Sequence, residues 1–156
     1  MEINDPIVLR DHSPEVISHY VQWLYRGVVY NLNENQDTLS EEFDRLTELY
    51  VLGHAIKDSA FQNNIIDALI AATEKYNRYP TSLVGRVHAQ LPKKSKLWLL
   101  LVDMWAFRGK ESWITMERTR VASNQHSISD VVRAPAEFWQ DVNMALWAVC
   151  DKEVED

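Results

Sequence analysis

The sequence predicts a mainly α fold: a helical bundle with two or three short β-strands near the N-terminus. Three observations carry this. Apolar residues recur at helical spacing in most segments of the chain. Helix-capping residues stand where those segments begin. Only four glycines occur in 156 residues, too few for an all-β fold built on many tight turns. A chain of this length reads as one globular unit with a core of its own, and its 46% hydrophobic and 25% charged residues are ordinary for a folded protein.

The elements follow in order. Ile7, Val8 and Leu9 form a β-prone run, and Val28, Val29 and Tyr30 form another. Between them lies a helix over Ser13 to Arg26, with Ser13 as its cap, Pro14 in the first turn and Gly27 placed to leave it left-handed. Its expected apolar stripe is Val16, Tyr20, Val21 and Leu24. Asn31 to Asp37 is a polar loop, and Thr38 with Glu41 fits a capping box. The next helix carries Phe43, Leu46, Leu49, Tyr50, Leu52 and Ile56, an arc wide enough to be largely buried. After a break near Lys57, Asp58 caps a helix with Phe61, Ile65, Ile66, Leu69 and Ile70 inward, which ends between Tyr76 and Pro80.

The second half opens with an amphipathic piece, Ser82 to Gln90, interrupted by Pro92-Lys93-Lys94. Ser95 then begins the most apolar helix, with Leu97, Leu100, Leu101, Met104, Trp105 and Phe107 leaving a narrow polar face of Asp103 and Arg108. Such a helix is expected at the centre of the bundle. A short helix is expected through Trp113 to Met116, and an exposed connection from Val121 to Ser129. Pro135 suits the first turn of a last helix bearing Phe138, Trp139, Val142, Leu146 and Val149, and the terminal DKEVED is expected to be solvated. The tryptophans in these segments are expected to be core.

Charge is unevenly placed. Residues 1–85 carry six Lys/Arg against thirteen Asp/Glu, residues 86–120 eight against three, and residues 121–156 two against seven. A net charge of −7 argues against general nucleic-acid binding, which depends on cationic contacts to phosphates. The basic middle, with Lys93, Lys94, Lys96, Arg108 and Lys110, suits either a solvated face or an acidic partner. The longest apolar run, Leu97 to Phe107, is about half the ~20 residues a membrane helix needs. The lone Cys150 rules out an internal disulfide, and the N-terminus lacks the pattern of a signal peptide, so an intracellular compartment, cytoplasmic or nuclear, is expected.

No catalytic, cofactor-binding or metal-ligating residue is singled out. His12 stands beside Asp11 and Ser13, but neighbours in sequence do not make a triad. His19, His54, His88 and His126 lack the spacings of zinc sites. Glu41, Glu42, Asp44 and Glu48 crowd the start of a helix, where its dipole favours them. Gly27, Gly53, Gly85 and Gly109 are isolated, so no phosphate loop exists. Asp103 needs a partner such as Arg108 if it is buried.

Three stretches carry a family resemblance. Ile7-Val8-Leu9 leads to Ser13-Pro14-Glu15-Val16 and then Trp23-Leu24-Tyr25-Arg26-Gly27; next come Leu46 to Gly53 (LTELYVLG) and Asp58 to Asn64 (DSAFQNN). In this order, residues 3 to about 72 resemble the second half of a BTB/POZ domain. The continuation from Leu91-Pro92 through Leu100-Leu101-Val102-Asp103 to Gly109 resembles the helical extension of fungal BTB/POZ proteins. The resemblance implies a partial BTB/POZ-like module over 1–80, a helical extension packed on it over 81–150, and a solvated tail at 151–156. Met1 stands downstream of the hairpin and helix that form the family's homodimer surface, and of its hydrophobic-x-Glu segment for cullin docking. The first strand–helix unit is therefore expected to expose apolar surface. The implied function is a non-enzymatic protein–protein interaction module binding another protein, with a homo-oligomer as one form. One alternative is a substrate adaptor for a cullin-based ubiquitin ligase; another, of a different class, is a small helical enzyme.

Overall fold

The computed structural model describes residues 12–29, 39–109 and 134–153. Among these lie six α-helices and one 3-10 turn, and no strand. The expected strand at Ile7–Leu9 falls outside the described residues, as does Tyr30 of the second. Val28 and Val29 are described: they follow the helix as bend and irregular backbone rather than strand. The chain divides into two compact units, Met1–Asn77 and Arg78–Asp156.

In the first unit, α1 spans Pro14–Arg26. The Ser13 hydroxyl accepts from the Val16 N–H at 3.3 Å, satisfying one of the amides that the first turn leaves open. Gly27 closes the helix at φ 68°, where its N–H donates to the Trp23 carbonyl at 2.7 Å. Helix α2 (Leu39–Ala55) and helix α3 (Ser59–Tyr76) pack as a hairpin. The break between them lies at Lys57, φ 59°, and Asp58 caps α3 by accepting from the Phe61 N–H at 2.9 Å. Thr38 of the expected capping box lies outside the described residues. The core of this unit is Phe43, Leu46, Leu49, Tyr50 and Leu52 against Phe61, Ile65, Leu69 and Ala72, all buried. Gly53 lets the hairpin close, since a Cβ there would stand 3.0 Å from the Phe61 ring.

In the second unit a 3-10 turn (Thr81–Leu83) runs into α4 (Val84–Gln90). The Ser95 hydroxyl caps α5 (Lys96–Arg108), accepting from Trp98 N–H at 3.3 Å. The last helix, α6, spans Ala136–Glu153 and begins just after Pro135. It continues through Asp151, Lys152 and Glu153, three residues into the segment expected as a tail, because no glycine or proline stops it. The expected short helix at Trp113–Met116 and the connection 121–129 lie outside the described residues.

Helix α5 is less enclosed than the expected central helix with its narrow polar face. Leu97, Trp98, Leu101, Val102 and Trp105 are buried against α4 and α6, while Leu99 and Phe107 are exposed at 46% and 53%. At about 100° per residue, two neighbouring helices cover little more than half of a helix's circumference, and residues 99 and 107 fall on the other side. Asp103 is exposed on that side as well and needs no buried partner.

Candidate functional site

Helix α1 is apolar on two sides, and only one of them faces its unit. Val16 is buried, and Tyr20 and Trp23, four and seven residues on, lie half-buried on the same face. The Tyr20 ring meets Phe61 edge-on at 4.8 Å, and the Trp23 ring lies 4.9 Å from Phe61. The Tyr20 hydroxyl donates to Asp58 Oδ2 at 3.0 Å. Asp58 thus caps α3 with one oxygen and holds α1 with the other. Partial burial, and then the bond to Asp58, raise the Tyr20 phenol above its ordinary pKa.

Further round α1, Val21, Leu24 and Tyr25 are exposed at 42%, 57% and 87%, followed by the exposed Val28. Positions 21, 24 and 25 are i, i+3 and i+4 on one helical face. This corrects the expected stripe. Val16 and Tyr20 face inward as expected, but Val21 and Leu24 do not; Trp23 completes the inner face. The residue that decided it was in plain view, because Val16, Tyr20 and Trp23 form the better i, i+4, i+7 series. An exposed apolar patch on the first helix agrees with the sequence expectation. Tyr25 is its most exposed member, and spacing alone gave no hint of that.

Two polar groups sit along the inner edge. Both ring nitrogens of His19 and the indole nitrogen of Trp23 are shielded from solvent with no hydrogen-bond partner among the described residues. Burial, and then the nearby Arg45 charge, lower the His19 pKa, while Glu15 opposes them; the imidazole is therefore held neutral at pH 7. Glu15 is engaged with Arg45 at 3.4 Å. On α2, Glu42 is 5% exposed and its Oε1 has no hydrogen-bond partner among the described residues. Burial raises its pKa against the opposing pull of Lys75 and Arg45.

The second unit holds two more apolar surfaces. Leu99 and Phe107 lie two turns apart on α5, with Asp103 between them. On α6, Met144 and Trp147 are exposed at 69% and 71%, and Leu146 at 41%, so Trp147 and Leu146 depart from the expected core. Phe138 and Val142 of the same helix do face inward.

Among the described histidines, His12 precedes the Ser13 cap of α1 and His54 lies in the exposed last turn of α2. His88 is brought to a carboxylate: its Nε2 lies 3.8 Å from Glu137 Oε2, while Lys93 Nζ lies 2.7 Å from Glu137 Oε1. The bond from Lys93 holds the Glu137 carboxyl below its ordinary pKa. A carboxylate so stabilised is a weak base, and this group is open to water, the arrangement of a surface ion pair rather than of an acid–base centre. His126 and Cys150 carry no described side chain. Among the described residues no three His, Cys, Asp or Glu side chains gather as metal ligands, and no helix is long and apolar enough to cross a membrane. No family model matches the chain, and no curated protein or solved structure matches it either.

Proposed function

We propose that this chain is a non-enzymatic protein–protein interaction module, and that its binding face is the outer side of α1. The observation that carries the reading is the division of that helix. Tyr20 and Trp23 fasten it to Phe61 and Asp58 by one side, and the other side offers Val21, Leu24 and Tyr25 to solvent. Tyrosine is a residue that interface centres favour, and the leucine and valine beside it add apolar area around it. The spacing i, i+3, i+4 is that of helix-to-helix recognition.

The BTB/POZ resemblance supports the same reading at the level of class. In that reading, the α2–α3 hairpin is the family's helical pair. The adaptor alternative is tested with the same reagents. Immobilised chain is incubated with a purified cullin scaffold and, in parallel, with cell extract. The proposal expects extract proteins that are retained by the wild type and lost from Leu24→Ser/Tyr25→Ser. Retention that is unaffected by those substitutions contradicts the assignment of the face. Stable cullin capture favours the adaptor reading.

A further inference from the structure

We propose that α1 is a proton-sensitive arm: in mild acid His19 takes up a proton and the helix loosens from the α2–α3 hairpin. The proposal concerns how the inner side of α1 is held, and it stands whether or not the outer side binds a partner.

Few contacts hold this helix. It buries one residue, Val16. Its other fastenings are the Tyr20 and Trp23 rings on Phe61, the Tyr20 bond to Asp58 at 3.0 Å, and the Glu15–Arg45 ion pair at 3.4 Å. A segment held by so little opens more readily than a core helix. His19 lies in the same seam, and both of its ring nitrogens are shielded with no hydrogen-bond partner. The neutral ring bears this at modest cost. A protonated ring presents two charged donors without an acceptor, a much costlier state.

The charges around the ring add to this. Arg45, from α2, repels an imidazolium, whereas Glu15, one turn back on α1, attracts it. Asp58, just ahead of α3, is occupied by the Phe61 amide and the Tyr20 hydroxyl. Glu15 is itself held by Arg45 while α1 is docked. In the loosened helix a hydrated, protonated His19 can pair with Glu15 at i, i+4 on its own helix. The proton thereby draws from Arg45 the carboxylate that ties α1 to α2.

The direction of the response follows. Burial and then Arg45 lower the folded-state pKa of His19, so docking is unopposed above the ordinary 6.5 and weakens as pH falls from there through the lowered value. Glu42, on α2, works the other way. It is buried, Lys75 of α3 and Arg45 act on it, and its raised pKa means that acid relieves a buried charge in the hairpin. Acid therefore loosens α1 while it steadies the hairpin beneath, and the opening is local rather than global.

Hydrogen exchange of the full chain, followed by mass spectrometry and corrected for the intrinsic rate at each pH, tests this. From about pH 7.5 to about pH 5.5, exchange in α1 should accelerate roughly threefold or more, with α2 and α3 unchanged or slower. His19→Gln, which cannot gain the charge, should abolish the acceleration; His12→Gln and His54→Gln should keep it. Since His19→Gln also alters packing in the seam, the wild-type ring is titrated by NMR as well, and its midpoint should lie below 6.5. The proposal is overturned by α1 protection that is equal at the two pH values or by acceleration that survives His19→Gln. Loosening of α2 in step with α1, or a His19 midpoint at or above the ordinary value, overturns it equally.

Discussion

Each unit is built around one phenylalanine in the first turn of a helix, and the two are used differently. Phe61 at the start of α3 and Phe138 at the start of α6 are both 0% exposed. Tyr20 and Trp23 surround the first; Trp98, Trp105 and Trp139 surround the second, with centroids 5.2, 6.4 and 5.6 Å from Phe138. In each cage one ring ends on a carboxylate: the Tyr20 hydroxyl on Asp58 at 3.0 Å, and the Trp98 indole on Asp141 at 2.7 Å. The difference lies in what the cage holds. Trp98 and Trp105 are buried members of a helix that buries three further side chains. Tyr20 and Trp23 are half-buried members of a helix whose one buried residue is Val16. The second cage is therefore the middle of a core, whereas the first is a fastening at its edge, and among the described residues the outer side of α1 stays exposed.

The largest expected effects come from emptying the cages. Phe61→Ala and Phe138→Ala should each lose about 3–5 kcal/mol in denaturant unfolding. Only Phe61→Ala should also release α1, seen as faster hydrogen exchange of its amides than of those in α2. Equal loosening of α1 and α2 would mean that α1 is core after all.

Next come the carboxylates. Asp58→Ala removes both a helix cap and the Tyr20 partner and should cost about 1–3 kcal/mol. Asp141→Ala removes one hydrogen bond from a better-packed ring, and about 1 kcal/mol is expected. If Asp141→Ala proves the costlier, the comparison is reversed.

Buried and exposed acids give the smaller effects. The folded-state pKa of Glu42 is raised, so its carboxylate opposes folding once pH exceeds the ordinary value of 4.5. That opposition is absent at low pH, sets in as pH rises from the ordinary toward the raised pKa, and is complete above the latter. Glu42→Gln should gain up to about 1 kcal/mol at pH 7, nothing at pH 4, and flatten the stability profile between. Lys93→Ala, which breaks an ion pair open to solvent, should leave Tm unchanged; a clear drop would mean that this pair holds α6 in place.

Much of this architecture was legible where the cause is local. Ser13, Asp58 and Ser95 are caps because a side chain three residues ahead of an open amide decides the matter by itself. What escaped depends on distant neighbours. Tyr20 finds Asp58 across 38 residues, and Trp98 finds Asp141 across 43, which no periodicity encodes. Where a helix is apolar on two sides, spacing cannot say which side is covered, and so Val21, Leu24 and Phe107 were read as core. Two of these, Val21 and Leu24, belong to the candidate face: the pattern shows that they are apolar, but only the fold shows that nothing described lies over them.

The central claim is that the outer stripe of α1 contributes to binding and not to folding. Thermal and denaturant unfolding of Leu24→Ser/Tyr25→Ser against wild type, at a concentration too low for association, tests it most directly. The account predicts stabilities equal within about 0.5 kcal/mol, as for surface positions generally. A loss of about 2 kcal/mol or more would place these side chains in the core and remove the binding face.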